Sequence, residues 1–232
     1  MNTDIHSPDK WLSFGLAFVG GYCDAGGLVV AKTFTGHITG SLVLGAITIA
    51  ELDWRGALAH FSSTACFLAG IPLSVLIARL VAGEPSFLVL RVAMGIEAVL
   101  IVAAYFSLTL HGVLSVEIFI ICMSLALGLQ NGAFRRTGGV SVHTTYLTGM
   151  ITSLISTEVE KFTRQETERQ STEADPPLGF LFGLWGAFVL GAAVGAGAVF
   201  HFKAAGILGA TLVLLALIIR SLLDGSQVSL AN

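Results

Sequence analysis

The chain has little charge for its size. Of 232 residues only 12% are Asp, Glu, Lys or Arg, while 54% are hydrophobic. A soluble domain carries roughly 25% charged residues, so there is too little here to coat a water-facing surface. Proline is scarce, with 5 residues, and polar low-complexity runs are missing, which excludes a disordered chain. No basic patch accompanies the formal net charge of -3, so nucleic acid is not an expected partner. The three cysteines, Cys23, Cys66 and Cys122, stand far apart in apolar segments without CxxC spacing. Disulfide and zinc frameworks are therefore not expected, and buried, inert thiols are. No HExxH, GxSxG or P-loop pattern is present, so neither an enzyme nor a bound cofactor is expected.

What the chain does have is long apolar runs. Charge-sparse windows lie at 11–31, 56–78, 92–110, 118–134, 176–202 and 204–219. At about 20 residues per crossing, these predict an all-helical, polytopic membrane protein of about six spans. The short polar start, Met1 to Lys10, lacks the basic region and cleavage site of a signal peptide, so the first span is read as retained. Two further apolar segments, 36–50 and 140–157, are rich in Gly, Thr and Ser. Fifteen residues of helix reach only about 22 Å, so half-membrane or re-entrant helices are expected there, with full crossings as the alternative. The one strongly hydrophilic stretch, 158–175, reads as a solvated loop.

The basic residues orient the spans. Alternating loops put Lys10, Arg79, Arg91, Arg135, Arg136, Lys161, Arg164, Arg169 and Arg220 on one side, and Lys32, Arg55 and Lys203 on the other. The positive-inside rule then places both termini and the 158–175 loop in the cytoplasm.

The two halves resemble one another. GYCDAGGLVVAKTFTGHITGSLVLG begins at Gly21, and GLQNGAFRRTGGVSVHTTYLTGMITSL begins at Gly128. Superposing these glycines puts Asp24 on Asn131, and Thr39-Gly40 on Thr148-Gly149 after a two-residue insertion. Further on, FLAGIPL at Phe67 matches FVLGAAV at Phe188. Three spans per half require opposite orientations, so the expected architecture is two inverted three-helix repeats, 11–110 and 113–223. Their first and fourth helices would be interrupted near Asp24 and Asn131, as in many secondary transporters.

Asp24 is the most informative residue. A carboxylate about 20 Å into a span must face a cavity, a partner or water. Its neighbours Gly20, Gly21, Gly26 and Gly27 suggest a stretch that unwinds, exposing carbonyls for a cation or proton. Alternatively, Asp24 accepts backbone N–H groups as a helix cap. Gln130 and Asn131 are the corresponding polar pair, suited to interhelical hydrogen bonds or to substrate. Thr39, Gly40, Thr148 and Gly149 lie where half-helix N-termini would point positive dipole ends inward. His37 and His143 suit proton transfer; metal binding is not expected. Glu97, a second intramembrane carboxyl, would relay a proton or pair with Arg91. Arg135 and Arg136 are either cytoplasmic anchors or partners of Asp24 or an anion. The reading is a transporter of a small solute or ion with proton coupling through Asp24. Its rivals are a scaffold, a lipid-binding protein, a complex subunit or a channel. Partners are the lipid bilayer and the unknown solute, and self-association is left open.

The GY-x-DA stretch at Gly21, the Thr39-Gly40-Ser41 segment, and GLQN at Gly128 followed by Arg135-Arg136-x-Gly138-Gly139 and Thr144-Thr145-Tyr146-x-Thr148-Gly149 carry a further likeness. They resemble the YoaK family of small bacterial inner-membrane proteins, over nearly the whole chain. The resemblance implies about six helices in the inner membrane and supplies no established activity.

Overall fold

The computed structural model describes residues 8–81, 86–110, 114–134, 155 and 178–230. The described residues form helices and no strand: α1 (Pro8–Ala31), α2 (Ile38–Ala50), α3 (Trp54–Leu80), α4 (Ser86–Thr109), α5 (Ser115–Phe134), α6 (Leu178–Phe202) and α7 (Leu208–Leu230). All except α2 lie in stretches long and apolar enough to cross a membrane. The last such stretch, Gly179–Leu223, runs for 45 residues. As one straight helix it would reach about 68 Å, twice the hydrocarbon thickness. A 3₁₀ turn at Lys203–Ile207 divides it. The turn begins with Lys203 in the left-handed region (φ 54°), and the Tyr22 hydroxyl of α1 donates to the Gly206 carbonyl.

The expected interruptions do not fall at Asp24 and Asn131. α1 runs unbroken through Asp24, and α5 runs unbroken through Asn131 to Phe134. The glycines around Asp24 serve packing instead. A Cβ on Gly21 would overlap the Phe188 carbonyl oxygen on α6, and one on Gly128 would overlap that of Phe67 on α3. The reciprocal glycines behave alike: Gly191 lies on the Phe18 carbonyl and Gly70 on that of Leu125. These contacts follow the correspondence drawn between the two halves, with partners exchanged. Small residues admit such backbone approach where lipid supplies no hydrophobic drive.

The contacts also give helix directions. Phe14 stacks near Phe180 at 5.4 Å and Tyr22 meets Gly195, so α1 and α6 run parallel. Arg55 meets Glu117 and Ser74 meets Gly132, so α3 and α5 also run parallel. Gln130, late in α5, donates to the Leu16 carbonyl early in α1 at 2.8 Å, so α1 and α5 are antiparallel.

The break after the first span comes at residues 32–37. Lys32 adopts φ 57° while its N–H still bonds Leu28 O at 3.0 Å, which closes α1. The chain then doubles back along α1 to Asp24, about 10 Å short of the helix end. From there α2, 13 residues and about 20 Å long, runs outward beside α3, with Gly45 against His60 and Phe61. A turn at residues 51–53 follows, with Leu52 at φ 63°, and Asp53 accepts from Gly56 N to cap α3. Ala31, Asp53 and Glu117 border one groove, so α1 ends and α3 starts at the same level. α2 is thus a re-entrant half-helix, as the length of 36–50 suggested. The corresponding segment 140–157 lies outside the described residues, Ile155 excepted.

Candidate functional site

Extended backbone at membrane depth is tolerated only where protein satisfies its polar groups. Several polar groups of residues 32–37 meet this demand. Asp24 Oδ1 accepts Thr35 N–H at 2.9 Å and Gly36 N–H at 2.7 Å. Its Oδ2 contacts His37 Nδ1. The Phe34 carbonyl accepts the Ser41 hydroxyl at 2.9 Å and the Ser63 hydroxyl of α3 at 2.6 Å. Ser63 has a single proton to give, so Ser124 of α5, 2.8 Å away, is the donor in that pair. Thr33 Oγ1 lies 3.1 Å from His60 Nδ1. Gly27 makes room, since a Cβ there would sit 2.9 Å from Thr35 Oγ1.

Both readings of Asp24 bear on this geometry. It does accept backbone N–H groups, as the capping alternative held, but across space from α1 rather than as the first residue of a half-helix. Asp24 is 4% exposed. His37, between the rings of Phe34 at 5.6 Å and Phe188 at 5.9 Å, keeps 36% of its side chain exposed. The imidazole is therefore the outward-facing member of a pair whose carboxylate is enclosed.

The other expected residues are placed as follows. Thr39 is exposed and Gly40 half-buried on the first turn of α2; neither joins the Asp24 cluster, although Gly40 admits the Phe34 ring. Gln130 is buried and bridges to α1 through the Leu16 carbonyl, the interhelical role. Asn131 is buried on α5. Glu97 is fully buried, and neither of its oxygens has a hydrogen-bond partner among the described residues. The Glu97–Arg91 pair is not formed. Six residues of helix turn through about 600°, leaving the two on different faces, and Arg91 reaches Ser221 on α7 instead. Arg135, Arg136, His143, Thr148 and Gly149 lie outside the described residues. Sequence reasoning missed the parts played by Thr35 and Gly36, which act through backbone N–H groups. It also missed Ser63, Ser124 and Phe188, which enter the site from other helices.

Membrane-length helices around a re-entrant half-helix that starts on a buried carboxylate define a polytopic helical membrane protein. Within that class, the chain belongs to a family described as proteins of unknown function, DUF1275, whose model matches residues 12–220. No curated protein and no solved structure matches it.

Proposed function

We propose that the protein is a proton-coupled membrane transporter of a small solute or ion, with the Asp24–His37 pair as its coupling element. The observation that carries this reading is the start of α2 held inside the bundle by one carboxylate. Asp24 belongs to α1, which packs on α6, whereas the 32–37 segment and α2 are fastened to α3 by Ser63 and His60. The carboxylate is thus a clasp between two helix pairs. Protonating it through His37 weakens its hold on Thr35 and Gly36, because hydrogen bonds to a charged acceptor are about twice as strong as neutral ones. The freed N–H groups and the positive end of α2 then suit an anionic group of a solute. The exchanged glycine contacts and the antiparallel α1 and α5 support two inverted three-helix repeats, an architecture on which alternating access is built. The Lys and Arg asymmetry of the alternating loops, read from the sequence, supports cytoplasmic termini, and the motif resemblance supports a YoaK-type protein of the bacterial inner membrane.

One observation favours a scaffold instead: Oδ1 of Asp24 is already occupied by two donors. Reconstitution separates the readings. Proteoliposomes holding a pH-sensitive dye are challenged with panels of organic acids, amino acids and inorganic ions. Transport predicts a solute-dependent proton flux that Asp24→Asn abolishes and His37→Gln slows. A scaffold predicts no flux for any solute, with the variants changing stability alone.

A further inference from the structure

The buried face of α4 is formed by Leu90, Ala93, Met94, Glu97, Ile101 and Ala104, spaced at three and four residues as one helical stripe. Glu97 stands in the middle of that stripe, where the pattern calls for an apolar side chain. It is fully buried and both oxygens lack a partner among the described residues. Among the described residues, the other charged groups on the elements packed against α4 are engaged or peripheral, and Cys66 of α3 is half-buried. His60 of α3 is bonded to Thr33, and Arg55 of α3 pairs with Glu117 of α5 at the helix ends. Arg220 of α7 lies over Trp11, and Lys203 of the 3₁₀ turn is exposed. Arg79 stands in the last turn of α3, and Cys122 of α5 is half-buried. On α4 itself, Arg91 turns to Ser221. None of these described groups neutralises a charge on Glu97.

We propose that Glu97 is a proton-binding site: the carboxyl is held as –COOH in the core of this conformation and ionises only when α4 parts from α5 and α7 enough to admit water. An unpaired ionised carboxylate in an apolar interior is so costly that the group takes up a proton instead, and intramembrane carboxyls of this kind mark proton pathways. Binding is the reversible addition of one proton to one carboxylate oxygen, with no other reactant. Glu97 as a second coupling proton rests on the transport reading; its occupancy does not.

Infrared spectroscopy of the whole protein in lipid at pH 8 tests this. Solvent-facing carboxyls are ionised there, so a protonated C=O stretch reports a sequestered acid. The band is present in the wild type, lost in Glu97→Gln and retained in Asp24→Asn. In wild-type protein labelled with 13C-glutamate it moves to lower frequency, so the result does not depend on the variant folding. A spectrum at pH 8 with no glutamate-derived C=O band, or a band that Glu97→Gln leaves in place, overturns the assignment. A solute flux found without the band would leave the transport reading standing and this one refuted. The band found without any flux would do the reverse.

Discussion

Asp24→Ala removes the one acceptor that serves both Thr35 and Gly36. Thr35 is 1% exposed, and Gly36 is buried as well, so water does not replace the lost carboxylate. Each buried N–H left without a partner costs about 1–3 kcal/mol. The two together destabilise the 32–37 segment by about 2–6 kcal/mol. Asp24→Asn keeps an acceptor oxygen for these two N–H groups and loses their charge assistance, a cost of about 2–3 kcal/mol over both bonds. Hydrogen exchange of the peptide covering 32–37, in lipid nanodiscs, reads these costs directly. At about 1.4 kcal/mol per tenfold, Asp24→Ala lowers protection there by roughly thirtyfold to twenty-thousandfold. Asp24→Asn falls in the lower part of that range. Peptides from α4 serve as the internal reference and stay unchanged. If Asp24→Ala leaves exchange of 32–37 at the wild-type rate, the carboxylate is not what holds the start of α2, and the clasp mechanism is wrong.

Three further outcomes follow from the packing. Gly21→Ala and Gly128→Ala each force a methyl group onto a backbone carbonyl and lower stability by about 1–3 kcal/mol. Gly186→Ala, where a Cβ meets nothing within 4 Å, is neutral or stabilising by up to about 1 kcal/mol; thermal unfolding in detergent ranks the three. Ser41→Ala and Ser63→Ala each cost about 0.5–1.5 kcal/mol. The double variant costs more than their sum in the same assay, because the Phe34 carbonyl then loses both donors. Glu117→Gln breaks a pair whose arginine side chain is 66% exposed and changes stability by less than about 1 kcal/mol; an unfolding midpoint several degrees lower would contradict that.

Much of the fold was legible because spans announce themselves by length and lack of charge. The half-helix was legible for the same reason: a run too short to cross must stop inside. The Gly21–Gly128 correspondence, drawn from letters alone, reappears as exchanged carbonyl contacts. The break was misplaced because glycine has two meanings in a membrane helix. At Gly20, Gly21, Gly26 and Gly27 it could mean unwinding or close approach, and only the positions of α6, the 3₁₀ turn and Thr35 decide between them. Asp24 was identifiable from the cost of burying a charge. Its partners were not, since Thr35 and Gly36 contribute backbone groups that every residue owns, and Ser63 arrives from another helix. Glu97 and Arg91 look near in sequence, but the helical angle sends them to different neighbours.

The reach of the clasp has a consequence for the order in which the protein is made. The packing partner of α1 is α6, whose contacts with it lie some 170 residues later in the chain, so at about 5–20 residues per second the first span waits many seconds for it. During that wait a lone carboxylate in lipid would oppose insertion. The groups that cover Asp24 lie only 11, 12 and 13 residues downstream. They leave the ribosome almost together with it. The Asp24 carboxylate can therefore enter the bilayer already covered by its own chain, before α6 exists to shelter it.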